Sequence, residues 1–309
     1  MMKQPLRDPS QAERDSEARG QNSEKPAAFM SINDKERTYF EYAVETEPMV
    51  QDFLGLLIDG DAFPLEYEGG LGAPEQNSTQ IHWGRIVRNI SQTVHFDRTG
   101  KDVVEGAIVT HLDGALKISA PYHMSRRKRH AVLFKPFSES CVRKVFFQRL
   151  NNSSDPARAW KLSAISAVKG GTDQTEVHIE ALTMKIGEVY QRQIQSPMDH
   201  KILFEAPENG KHQKSSNDKI ELDVKVRSKE MEQNIIVLRS ATVAEEIVRK
   251  QLHFESDVRE EADYCQNYRG TFSPAAMPSS RSLVAEAVLR SSLYDTGAAV
   301  STCFWVFPA

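Results

Sequence analysis

The chain predicts an α+β fold, with N-terminal helices packed on a curved antiparallel sheet and a second, all-β sandwich following. Three observations predict it: helical spacing of apolar residues from Asp34 to Ile58, residue-by-residue alternation from Ile81 to Val168, and short β-prone runs from Ile220 to Phe307.

Residues 1–30 carry Gln, Glu, Arg, Asp and Ser with almost no apolar side chains, so they read as a disordered tail that cannot bury enough surface to offset ordering. From Asp34 onward Tyr39, Phe40, Ala43 and Val44, then Met49, Val50, Phe53, Leu54 and Leu57, recur at helical spacing. Asn33 or Asp34 caps the start, and Pro48 kinks the stretch or divides it into two helices. Asp59-Gly60-Asp61 supplies the glycine favoured past a helix C-terminus.

In the first extended segment Ile86, Ile90, Val94 and Phe96 share one face, while Asn89, Ser91, Thr93, His95 and Asp97 share the other. A turn at Asp97-Arg98-Thr99-Gly100 leads into a second segment with Val104, Ile108, Leu112, Leu116 and Ile118 in phase, so the two predict a hairpin. A third segment, Glu139 to Leu150, and a fourth, Trp160 to Val168, flank a turn-rich stretch ending at Pro156. The helices are the expected cover for the dry face of this meander.

A polar stretch over residues 188–218, interrupted by Ile202-Leu203-Phe204, reads as a linker holding one short strand. It separates an α+β unit at 31–187 from an all-β unit at 219–309. Strand-like runs in the latter are Ile220–Val226, Asn234–Leu238, Val248–Phe254, Tyr264–Phe272, Leu283–Leu289 and Cys303–Phe307, the last too apolar to be a free tail. Glu245–Lys250 is open to a helical reading.

Helices ending in Phe53-Leu54-Gly55-Leu56-Leu57-Ile58-Asp59-Gly60-Asp61-Ala62, followed by a meander closing in Ala159-Trp160-Lys161-Leu162-Ser163-Ala164-Ile165, resemble the α+β cone of the nuclear-transport-factor-like (cystatin-like) superfamily. The second unit resembles an immunoglobulin-like sandwich. The pair, with Ser291-Ser292-Leu293-Tyr294-Asp295 before the last strand, resembles a group of uncharacterised bacterial proteins. The superfamily holds ligand-binding, catalytic and inactive members, so the resemblance implies architecture and not activity.

A formal charge of −4 and a pI near 6.2 argue against a generally basic nucleic-acid binder. No apolar stretch reaches signal-peptide or membrane-spanning form, which as written predicts a cytoplasmic protein; a misassigned or processed N-terminus would place it at the cell envelope. Cys141, Cys265 and Cys303 are too scattered for a zinc site and read as small buried hydrophobes, although Cys265 and Cys303 would pair in an oxidising compartment. Neither a metal nor a cofactor is expected. Phosphate-loop, dinucleotide, serine-elbow and zinc-helix motifs are absent, and Gly69-Gly70-Leu71-Gly72 precedes a strand, the wrong context for a nucleotide.

Three sets of residues carry candidate chemistry. His111 and Asp113, two apart on one strand, form the best pair for general-base work, with a solvated strand face as the plainer reading. Arg88, Gln92, Lys144 and Gln148 would put polar groups into an apolar concavity able to hold a small acidic or amide-bearing ligand, unless their long stems carry them to the rim. Ser125 to His130, with Arg126, Arg127, Lys128 and Arg129, is the densest charge run; it reads first as a solvated loop and second as a phosphate contact. Taken together, the sequence predicts a noncatalytic binding or protein-interaction protein, its partner a small ligand, another protein or itself. A small-molecule enzyme using the cone interior and a nucleic-acid-associated protein are the alternatives.

Overall fold

The computed structural model describes residues 31–58, 63–64, 82–124, 127–186, 190–199, 201–204, 220–241, 247–260, 262–272 and 282–308. Most of these lie in strands of two antiparallel sheets, and the helices are short. That corrects the expected α+β class: the molecule is predominantly β, because sheet-on-sheet packing rather than helix-on-sheet packing supplies most of the core. The predicted tail at 1–30 and residues 188–189, 200 and 205–218 of the predicted linker lie outside the described residues.

Helix α1 spans Asp34–Thr46, opened by a capping box in which Asn33 accepts from the Glu36 amide and the Glu36 carboxylate accepts from the Asn33 amide. Pro48 starts α2, Pro48–Gln51, as a first-turn residue whose missing N–H costs nothing there, and α3 follows at Phe53–Leu57.

The first sheet takes β1 (Phe63–Pro64), β2 (His82–Gly100), β3 (Val103–Met124), β4 (Arg127–Arg149) and β5 (Trp160–Thr172) in sequence order. It then continues through β15 (Thr302–Pro308), β14 (Ser282–Val288), β10 (Ile235–Ala241) and β11 (Ile247–Gln251), while β8 (Lys201–Leu203) also pairs with β5. The second sheet runs β12 (His253–Glu260), β13 (Asp263–Phe272), β9 (Ile220–Ser228), β6 (Val177–Ile186) and β7 (Tyr190–Ile194). Residues 247–251 are therefore strand, which removes the helical reading of that region.

The first sheet rolls so that β2–β4 face β10, β14 and β15 across a common interior. Trp83, Leu112 and Leu116 cluster there with Val284, Phe304 and Val306, and α3 closes the cluster through Phe53 and Leu57. Farther along the roll, α1 and α2 add Phe40, Val44 and Val50 to Val104, Ile108, Phe147 and Trp160. The opposite face of β10, β14 and β15 packs on the second sheet, with Leu238, Ala285, Trp305 and Phe307 against Leu182, Leu222 and Val224. Hence every residue of β14 is buried, and Leu283 to Val288 reads as an almost unbroken apolar run rather than an alternation.

Strands from either side of the predicted boundary pair in both sheets. Cys303 to Val306, on the expected closing core strand, face Val168 to Gly171 of β5, and β9 lies beside β6 from Ile220↔Ile186 to Ser228↔Val177. Among the described residues no helix is long and apolar enough to cross a membrane.

Candidate functional site

A bulge in β2 organises the interior. The β2–β3 register shifts between Val87 and Asn89, so Arg88 is the extra residue and the inward phase changes there. Before the bulge Trp83 and Arg85 stand opposite Ile118 and Leu116 and point into the roll; after it Ile90, Gln92, Val94 and Phe96 do. Ile86, expected inside, is carried to the convex face opposite Ala115.

Arg85 thereby enters a quartet of fully buried charges with Glu139 of β4, Glu286 of β14 and Arg239 of β10. Arg85 pairs with Glu139, and its Nη1 lies 3.2 Å from Glu286 Oε1. Arg239 pairs with the other Glu286 oxygen, and Thr302 Oγ1 donates to Glu139. Aromatic faces complete the surroundings: the Arg85 guanidinium lies 5.2 Å from the Phe137 centroid and 5.5 Å from that of Phe304, and Arg239 lies 5.5 Å from that of Trp83. Burial pulls the Arg85 pKa down to about 10, opposed by Glu286, so the group stays cationic at neutral pH. Two guanidinium groups and two carboxylates balance one another, and both acids already hold cations. The arrangement ties β2 to β14 across the roll and offers no carboxylate free to move a proton.

The four predicted ligand-binding residues do not come together. Arg88 is exposed at the bulge. Gln92 is on the concave side but at its rim, where its amide donates to Gln51 Oε1 at 3.0 Å and Thr110 Oγ1 at 3.1 Å. Lys144 and Gln148 are on the convex face, Lys144 paired with Glu105 at 2.7 Å and Gln148 exposed. The β4 residues that enter are their odd-numbered neighbours: Lys135, whose Nζ donates to the carbonyls of Ser292 and Asp295, Glu139, and Arg143, which donates to the carbonyls of Met49 and Val50. Burial lowers the Arg143 pKa to about 10 against the pull of Asp52.

His111 and Asp113 lie on the convex face, both exposed. The neighbours of His111 are Ser91 and Ser140 across the sheet, and its Nδ1 is 3.3 Å from Ser140 Oγ. Ser140 donates to Asp173 Oδ1 at 2.8 Å, so the carboxylate holds the hydroxyl rather than the imidazole. A nucleophilic triad needs the imidazole between hydroxyl and acid, and this order leaves the serine proton committed to the carboxylate.

Ser125 and Arg126 lie outside the described residues, as do the side chains of Arg127, Lys128 and Arg129. The backbone register pairs Met124 with Arg127, His123 with Lys128 and Tyr122 with Arg129, beyond the last β2 pair at His82↔Ser119. Arg127, Lys128 and Arg129 therefore belong to a β3–β4 arm that runs past the described part of β2. At the base of this arm the rows Ile86–Ala115–Pro136, Lys117–Phe134 and Ser119–Val132 adjoin on the convex face, with Phe134 52% and Val132 49% exposed.

All three cysteines are free and buried; Cys265 stands in the second sheet and Cys303 in the first. Among the described residues no group of three His, Cys, Asp or Glu side chains could hold a metal ion. No family model, curated protein or solved structure matches the chain, so none identifies the cone or the sandwich.

Proposed function

We propose that this is a noncatalytic interaction protein that docks a protein partner through the convex face at the base of the β3–β4 arm. The observation that carries the reading is the pair Val132 and Phe134, two large apolar side chains exposed side by side on the convex face, with Pro136 and Ile86 next to them. The interior favours the same reading, since its ionisable groups are engaged with one another and with backbone carbonyls rather than poised in a pocket.

The test compares protein purified from its own source with a Val132→Asp, Phe134→Asp variant expressed in the same cells, both by native mass spectrometry. Wild type should carry a stoichiometric protein companion that the variant lacks while keeping its thermal melting temperature. The same companion of a different sequence on both forms, or a tightly held small molecule on wild type, would overturn the reading, whereas a second copy of this chain on both forms does not bear on it. Nucleic acid is the second reading, favoured by the placement of Arg127, Lys128 and Arg129 on the arm. Retention of single-stranded oligonucleotide at low salt, lost steeply as salt rises, would move the assignment there.

A further inference from the structure

We propose that the edge of β2 facing away from β3 is a self-association site, where a second copy of this chain adds its own β2 in antiparallel pairing centred on Thr93. Along one side β2 pairs with β3 from His82 to Gly100. Along the other, among the described residues, it meets only β1, at His82 and Trp83. A strand of this length with one neighbour presents a row of backbone donors and acceptors to any strand of matching shape.

The composition of this edge separates it from two others in the molecule. Edge strands are ordinarily protected by charge, proline or shortness. β12 carries Glu255, Asp257 and Arg259, and β11 carries Arg249 and Lys250. From Asn89 to Phe96, β2 has neither a formal charge nor a proline. It also leaves Ile90 44% exposed on the concave side, although Ile90 stands opposite Leu112, which is buried.

Pairing about Thr93 suits both faces of the strand. A twofold axis normal to the sheet keeps concave residues with concave residues, so only even-sum registers are allowed. With Thr93 opposite itself, Ile90 meets Phe96 and Gln92 meets Val94 on the concave side, while Ser91 meets His95 and Asn89 meets Asp97 on the convex side. Ile90 thus gains an aromatic cover, Asp97 gains an amide donor, and no like charges face one another between Asn89 and Asp97.

This site is distinct from the patch at Val132 and Phe134, so the two stand or fall separately. The test uses the full chain and two variants, Thr93→Lys and Thr93→Glu, with oligomeric state read by native mass spectrometry and light scattering. Thr93 is exposed, so each variant should fold, which thermal melting checks. Wild type should be dimeric. Each variant should dimerise at least about tenfold more weakly, because like charges then meet at the symmetry axis, and an equimolar mixture should recover a heterodimer. A monomeric wild type would overturn the proposal, as would a dimer indifferent to charge at position 93 or a mixture that stays monomeric. A wild type holding instead a strand of another protein would also overturn it. Val132→Asp, Phe134→Asp protein should keep the dimer, so loss of one association reports nothing about the other.

Discussion

Glu286→Ala should destabilise the fold by about 3–5 kcal/mol, the cost of leaving a buried charge without its partner. Glu286 lies on the concave side of β14 and is fully buried, with one carboxylate oxygen toward Arg85 and the other toward Arg239. Truncation takes Arg239 from its carboxylate and leaves Glu139 as the single acid of the quartet, so the interior acquires a net positive charge. Phe137, Phe304 and Trp83 attract the guanidinium groups, but a ring face contributes about 0.5–2 kcal/mol and cannot replace an ion pair. Glu286→Gln keeps the volume and one acceptor while losing the charge, and should fall between wild type and Glu286→Ala. Urea unfolding at neutral pH, followed by circular dichroism, measures both. A loss of only about 0–1 kcal/mol, the range of an exposed pair, would show that the quartet is hydrated.

Such a network is a poor source of net stability, since well-packed apolar residues often do as well. What it contributes here is specificity. Arg85 and Glu286 belong to β2 and β14, which are brought together by the roll of the sheet rather than by backbone pairing. A roll closed in another register would keep Arg85 with Glu139 and Arg239 with Glu286 within their own walls but would lose the Arg85–Glu286 contact that joins the two pairs.

Local elements were legible because their signals are local. Asn33 marks the start of α1, Pro48 marks the division after it, and Val104, Ile108, Leu112, Leu116 and Ile118 of β3 face inward. Two kinds of information were not local. The bulge at Arg88 is a single extra residue, and without it the phase of β2 runs Ile86, Ile90, Val94, with Arg85 outside. On β4 both faces are apolar: Val142 and Phe146 compete with Cys141, Val145 and Phe147, so hydrophobicity alone does not choose the inward set. Pairing does, because Ile108 stands opposite Arg143 and Leu112 opposite Glu139. The candidate pocket failed for that reason, since Lys144 and Gln148 follow the face drawn through Val142 and Phe146. The union of β5 with β15 is carried by hydrogen bonds between the middle of the described chain and its C-terminal part, and no window of sequence contains it.

Gly114→Ala should be comparably damaging, at about 3 kcal/mol or more, the upper part of the range for overpacking. Gly114 pairs with Val87 on one side and Phe137 on the other, beside the bulge that turns Arg85 inward. A methyl group there would overlap the carbonyl oxygen of Ile86 and come within 2.9 Å of Phe137 Cζ. The ring can rotate away, but the carbonyl is backbone and can move only with its strand. Displacing β2 at Ile86 shifts the adjacent Arg85, whose guanidinium must reach both Glu139 and Glu286. The steric cost therefore carries an electrostatic one with it. Gly100→Ala is the control, because its methyl would meet only Val103 Cβ at 3.9 Å, an ordinary contact. That change should stay within about 0.5 kcal/mol of wild type. Urea unfolding ranks the two variants, and amide hydrogen exchange should show faster opening of residues 83–90 in Gly114→Ala. Equal stability of both would mean that β2 is not pinned at the bulge, and the inward turn of Arg85 would need another cause.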